Sequence, residues 1–235
     1  MKQLLIVPVT LSVLLFAAQC NPDAGLSKQE LQRDFARLKA YYIPVEYFVI
    51  TQRPRLAIRA YDRFRPVLDS FLEKYIPRMK SDSLWKVHTA RIHSLADATQ
   101  NIPPLLPDHY KLLFNNAQSL HAIFNTPVPE DKKIHVLNSM GNTFDLLRQQ
   151  ILAIDTVAID TNLYLLTPTD IENLQITAQE IQQILHNMER AFDDQNWEAL
   201  QTLSKDLQDE LLYCYLLFGR IEDLLPNRST TPPEG

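Results

Sequence analysis

Apolar residues return every three or four positions through most of this chain, the repeat of a helix with one buried stripe. The first stripe follows Ser27-Lys28-Gln29-Glu30, which reads as a capping box, and continues through Leu31, Phe35, Leu38 and Tyr42. Pro44 interrupts it, and Val45 to Ile50 suits either a kinked continuation or a short strand. Pro54 fits the opening turn of a second helix with the seam Ala57, Tyr61, Phe64, Leu68, Phe71 and Tyr75. Pro66 should bend that helix and Pro77 should end it. A third helix is predicted over Asp82 to Gln100, with Leu84, His88, Ile92 and Leu95 on one face. The proline-rich stretch from Asn101 to Pro107 reads as a non-helical connection.

Tyr110, Leu113, Ala117, Leu120 and Phe124 mark a fourth helix. Pro127 and Pro129 separate it from a fifth through Ile134, Leu137, Phe144, Leu147, Ile151 and Ile154. Residues 155–166 form the longest connection without a clear pattern. Thr167-Pro168-Thr169-Asp170 then supplies a cap, a first-turn proline and a carboxylate at the positive helix end. Ile171, Leu174, Ala178, Ile181, Leu185, Met188 and Phe192 follow at steps of three and four. A tight turn at Asp194-Gln195-Asn196 leads into Trp197, Leu200, Leu203, Leu207, Leu211, Cys214, Phe218 and Ile221. So short a link makes these two helices antiparallel neighbours. Only four glycines are present, few for a sheet built on tight hairpins. The expected fold is all-α, an antiparallel bundle of six to seven helices over residues 27–226, with residues 227–235 as a disordered tail.

The N-terminus has a different pattern. Lys2 precedes an uncharged run from Leu4 to Ala18, which as a helix would rise about 22 Å, short of the roughly 30 Å hydrocarbon core. That is the anatomy of an export signal rather than a membrane span. Phe16-Ala17-Ala18-Gln19-Cys20 resembles the lipobox of bacterial lipoproteins, although Ala17 and Gln19 stand where that family usually has Leu and a small residue. The resemblance implies removal of residues 1–19, a diacylglyceryl thioether and an acylated amine on Cys20, and a polar tether over residues 20–26. It also implies a periplasm-facing, lipid-anchored protein of the bacterial envelope. In the enterobacterial sorting pattern an Asp after the cysteine retains a lipoprotein in the inner membrane, so Asn21 favours the outer one. An ordinary secretory cut with Ala18 and Cys20 at its −3 and −1 positions, or a retained anchor, are the competing readings.

Composition narrows the function classes. The chain carries a formal charge of −5, unevenly spread. Residues 21–100 hold 14 Lys and Arg against 9 Asp and Glu, whereas residues 101–235 hold 8 against 19. Overall acidity and export argue against nucleic acid. Cys20 and Cys214 are the two cysteines, and lipidation of the first leaves the second without a disulfide partner. Arg55, Arg59 and Arg63 form a stripe at four-residue spacing, flanked by Arg53 and Arg65. It reads either as a solvated face paired with Asp62, Asp69 or the acidic half of the chain, or as a face for anionic lipid, glycan or a protein partner.

Candidate chemistry is sparse. No Cys-x-x-Cys-His, Glu-x-x-His or His-Glu-x-x-His occurs, nor a glycine-rich phosphate loop or a Gly-x-Ser-x-Gly elbow. His186-x-x-Glu189 resembles the His-x-x-Glu element of imelysin-like proteins, helical envelope proteins linked to iron, with Ile184 where that family has glycine. That resemblance implies a periplasmic metal- or haem-handling protein as the alternative function. His88 and His121 lie beside apolar seams, where a hydrogen-bonded boundary role is the simpler expectation than metal ligation. Cys214, among Leu211, Phe218 and Ile221, is expected to be a buried, unreactive thiol. The leading expectation is therefore a non-catalytic binding or scaffold protein held to the membrane through Cys20, with no catalytic residue, no cofactor, and an envelope protein as partner.

Overall fold

The computed structural model describes residues 28–75, 105–154 and 159–221. The export segment, Cys20 and the tether, the helix expected at Asp82–Gln100 with His88, and the tail all lie outside these residues. Among the described residues the fold is all-α, with seven helices and no strand. They are α1 (Lys28–Ile50), α2 (Pro54–Tyr75), α3 (Leu106–Phe124), α4 (Glu130–Leu152), α5 (Thr161–Tyr164), α6 (Pro168–Asp193) and α7 (Trp197–Leu217).

α1 and α2 form an antiparallel hairpin with its own apolar cluster. Leu31, Leu38, Val45 and Phe48 of α1 pack with Ala57, Ala60, Phe64, Phe71 and Tyr75 of α2. The buried arc of α2 is centred on Phe64 and Phe71, so Ala60 belongs to it while Tyr61, expected in the seam, is 46% exposed. The larger cluster is built around α7, with α3 and α6 packed antiparallel to it and α4 more lightly applied against both. Every α3 residue expected in the core (Tyr110, Leu113, Ala117, Leu120 and Phe124) is buried. In α4, Leu137, Phe144, Leu147 and Ile151 are buried, but Ile134 faces solvent.

Two joints are tight and use the same device. At the end of α1, the Arg53 and Gln52 amides donate to the Phe48 and Val49 carbonyls, with Gln52 at φ 54°. At the end of α6, the Asn196 and Gln195 amides donate to the Ala191 and Phe192 carbonyls, with Gln195 at φ 53°. Both are Schellman closures with glutamine in the left-handed position that glycine usually takes. Asn196 then caps α7 by accepting from the Ala199 amide, which explains the one-residue economy of that turn. The cap predicted at α6 forms and closes into a box: the Thr167 hydroxyl accepts from the Asp170 amide and the Asp170 carboxylate accepts from the Thr167 amide.

Three local expectations resolve differently from the bare pattern. Residues 45–50 continue α1 as helix despite their β-branched content, because Val45 and Phe48 are buried on the stripe of Leu38. Leu106 and Pro107, placed in the non-helical connection, open α3; a first-turn proline needs no partner for the N–H it lacks. Within the unclear stretch 155–166, Asp160 accepts from the Asn162 and Leu163 amides and starts the short helix α5.

α1 passes Pro44 without ending, and the reason lies 176 positions further along the chain. A helical proline leaves the carbonyl four residues earlier without its amide donor, here that of Ala40. The Arg220 amide, just beyond α7, donates to the Ala40 carbonyl at 2.8 Å. The approach depends on Gly219: a Cβ there would stand 2.9 Å from Ile43 Cγ2, 3.0 Å from Pro44 Cδ and 3.1 Å from the Leu216 carbonyl. Pro66 in α2 makes no comparable demand, because it is exposed and its orphaned carbonyl can turn to water.

Gly219→Ala should accordingly destabilise the fold by about 1–3 kcal/mol, the usual cost of overpacking. Gly141→Ala is the matched control. It lies within α4 with nothing within 4 Å of an added Cβ, so it should stabilise by about 0.5–1 kcal/mol. Urea unfolding of the two variants checks this, and equal effects in the same direction would refute the close-approach argument.

Candidate interaction surface

Cys20, the residue nominated for lipidation, lies outside the described residues, as does His88. The other nominated side chains are dispersed. His121 is half-buried, and its Nδ1 is 3.0 Å from the Ser204 hydroxyl, which itself donates to the Gln201 carbonyl. This pair ties α3 to α7. His186 Nδ1 stands 4.0 Å from Glu189 on an exposed face, and Glu189 is 3.2 Å from the Arg148 guanidinium. Among the described residues no group of three or more His, Cys, Asp or Glu is placed to hold a metal ion.

Cys214 is fully buried at the α3–α7 contact, beside the Tyr110 hydroxyl. Burial first, and the nearby Glu210 carboxylate second, push its thiol from 9.0 up to about 12. A thiol so placed is protonated at neutral pH and out of reach of solvent, the opposite of a nucleophile's surroundings.

Two polar clusters join elements far apart in sequence, and residue patterns alone marked neither. In the first, the Tyr215 hydroxyl donates to Glu46 Oε2 at 2.6 Å, and Lys111 Nζ lies 3.2 Å from Glu46 Oε1. The Lys111 ammonium also sits over the Phe114 and Tyr215 rings, at 5.0 and 5.6 Å from their centroids. Burial and then the Glu46 charge raise the Tyr215 hydroxyl above its ordinary value, so it acts as a permanent donor. One turn away Lys39 pairs with Asp108, and together these contacts clamp α1 to α3 and α7. In the second cluster Lys74 bridges Glu30 and Asp34, and the Tyr75 hydroxyl donates to Asp34 at 2.9 Å. Burial alone would raise Asp34, but hydrogen bonds from Lys74 and Tyr75 outweigh it and hold the carboxyl below its usual range. Both clusters are internally satisfied, so they fasten helices rather than present reactive groups.

The arginine stripe is different. Arg55, Arg59 and Arg65 are exposed on the face of α2 opposite Phe64 and Phe71, with Arg53 exposed just before the helix and Arg63 half-buried beside it. Among the described residues Arg53, Arg55, Arg59 and Arg65 form no ion pair, although Asp62 and Asp69 are exposed on the same side of α2, three or four positions from Arg59 and Arg65. Ile58, 53% exposed, and Tyr61 stand between them. The first turn of α2 contains no acidic residue, so Arg55 sits against the positive end of the helix dipole, a cost of about 0.3–1 kcal/mol. The hairpin also moves this face away from the tether. Lys28 and Ile50 are about 33 Å apart along α1, and Arg55 lies beside the Ile50 end. A separate, mainly apolar groove of about 410 Å³ runs between α3 and α4, lined by Leu106, His109, Leu112, Leu113, Gln150 and Ile154. Comparison with known proteins finds no matching family model, curated protein or solved structure.

Two measurements follow from these contacts. Tyr215→Phe should cost roughly 1.5–3 kcal/mol in urea unfolding, because the half-buried Glu46 carboxylate loses a charge-assisted donor. Cys214 and Tyr75 both keep their protons in the folded state up to about pH 12, against ordinary values of 9.0 and 10.0. The unfolded chain therefore loses those protons first, and the stability they contribute is complete below pH 9 and declines as pH rises towards 12. A stability profile over this range should slope downwards, and Cys214→Ala should flatten its lower part; a profile unchanged by that substitution would contradict the assignment.

Proposed function

We propose that the protein is a lipid-anchored lipoprotein of the bacterial cell envelope whose helical domain binds or scaffolds a partner without catalysis. The observation that carries this reading is the apolar run Leu4–Ala18 closing on the lipobox-like Phe16-Ala17-Ala18-Gln19-Cys20. No helix among the described residues is long and apolar enough to cross a membrane, so on this reading attachment rests on Cys20. One buried acyl chain holds a protein only reversibly, at about 0.8 kcal/mol per buried CH₂, whereas the several chains of a processed lipoprotein anchor it stably. The described domain supports a binding role by the kind of polar groups it uses. Half-buried Glu46, Lys111 and Lys39 are spent on fastening α1 to α3 and α7, and Arg53, Arg55, Arg59 and Arg65 face outwards.

Metabolic labelling with a clickable fatty acid should mark the wild type and miss Cys20→Ser. Mass spectrometry of the mature wild type should find a modified Cys20 at its N-terminus, and Gln19→Gly should raise the processed fraction. The unfolding midpoint of the Cys20→Ser domain should match the wild type, since α1 begins only at Lys28. An unmodified N-terminus beyond Cys20 would make the protein a soluble exported one, and an intact Met1 a retained anchor; either result overturns the lipoprotein reading.

A further inference from the structure

We infer that the outer face of α2, formed by Arg53, Arg55, Arg59 and Arg65 with Ile58 and Tyr61, is a second membrane contact that lies on anionic phospholipid. The inference deepens the envelope reading by saying how the anchored domain is oriented, and it stands on observations other than the lipobox. The four guanidinium groups are exposed and form no ion pair among the described residues, in a chain whose net charge is −5. Asp62 and Asp69 are exposed on the same side of the helix, so the cationic excess is concentrated at its start, where Arg53, Arg55 and Arg59 surround Ile58. Guanidinium groups pair with phosphate oxygens through parallel hydrogen bonds, so a phosphodiester surface satisfies them in a way that water does not.

Ile58 and Tyr61 supply the second half of the match. An exposed aliphatic side chain and an exposed phenol between arginines suit the headgroup region, where an apolar body meets a polar layer. The acidic side chains of α6 and α7 act in the same sense. Glu210 is crowded by Glu180, Asp209 and Asp206, a set that an anionic surface would repel.

The placement of the face adds a geometric argument. Its Arg53–Arg59 part lies at the end of the α1–α2 hairpin away from Lys28, about 33 Å along α1 from the side that leads to Cys20. Seven tether residues span at most about 25 Å when fully extended, which keeps the start of α1 close to the bilayer. Contact at both ends lays the hairpin along the membrane and turns the α3–α4–α6 side away from it. It also accounts for arginines held at a helix start that disfavours them.

The test places an environment-sensitive fluorophore at Ile58→Cys in the full chain, using the native state, in which Cys214 is buried and unreactive. The protein is reconstituted through its own N-terminus into vesicles of phosphatidylcholine, with or without phosphatidylglycerol. The readout is whether position 58 touches headgroups, not whether the protein is attached. Flotation on the phosphatidylcholine vesicles, where no electrostatic contact operates, reports attachment through the N-terminus separately, so a missing shift on attached protein reads the α2 face alone.

Emission should shift to shorter wavelength only on the phosphatidylglycerol vesicles. Raising salt from about 0.1 to 1 M, which shortens the screening length from about 10 to 3 Å, should abolish the shift. Arg55→Glu with Arg59→Glu should abolish it at unchanged helix content, and Arg55→Gln with Arg59→Gln should weaken it at least about ten-fold in the lipid fraction required. No shift on either vesicle would mean that the face is free for an acidic protein partner and would overturn the inference. An equal shift on both, insensitive to salt and to charge reversal, would overturn it by showing a purely apolar contact.

Discussion

The Ala40 carbonyl is the point on which the rest of this fold turns. Pro44 removes its helical donor, and the Arg220 amide replaces it. That single bond joins α1 to the segment leaving α7. It can form because Gly219 lets the backbone come within van der Waals contact of Ile43 and Pro44. The consequence is visible in α7, whose residues from Leu211 to Phe218 are all buried except Tyr213. A helix end buried nearly all round needs neighbours on every side, and α1 crossing at Pro44 is the one that completes them.

Around that crossing the fold has two apolar clusters rather than one. The α1–α2 hairpin encloses one, and α3, α4, α6 and α7 enclose the other, with Tyr47 and Tyr164 bordering both. Between them runs a belt of satisfied polar groups: Glu46 with Lys111 and Tyr215, Lys39 with Asp108, and the Tyr164 hydroxyl accepting from the Leu106 amide at 3.1 Å. Apolar contact alone would let one cluster slide over the other. Charged and hydrogen-bonded groups with one correct partner each specify the register, since a shift would leave half-buried charges unpaired.

This division bears on the proposed role. The groups that could do chemistry by type, the Cys214 thiol and the imidazole of His121, are used to pack and to bond within the domain. Exposed arginines gather at the start of α2, the helix least involved in the larger core, whereas many exposed carboxylates lie on α6 and α7. A domain built this way is suited to being held in one orientation against a surface, with its acidic helices directed elsewhere.

Much of the helical architecture was legible in the residues. The stripe Tyr110, Leu113, Ala117, Leu120 and Phe124 is buried without exception, and Thr167-Pro168-Thr169-Asp170 caps as its chemistry requires. Such features depend on neighbours three or four positions apart, and a linear pattern records those. The lipobox-like segment is local in the same sense, since it can be read from consecutive residues. Tertiary contacts decided what local preference left open: Val45 to Ile50 stays helical because Phe48 is buried, and Tyr61 is exposed because Ala60 takes its place. They also decided that Arg55, Arg59 and Arg65 pair with no carboxylate among the described residues of the acidic half of the chain. Glu46 meets Tyr215 across 169 positions, and the Ala40 carbonyl meets an amide 180 positions away. No periodicity spans such distances. These pairings exist only because packing brings two helices together, and so only the folded chain could decide them.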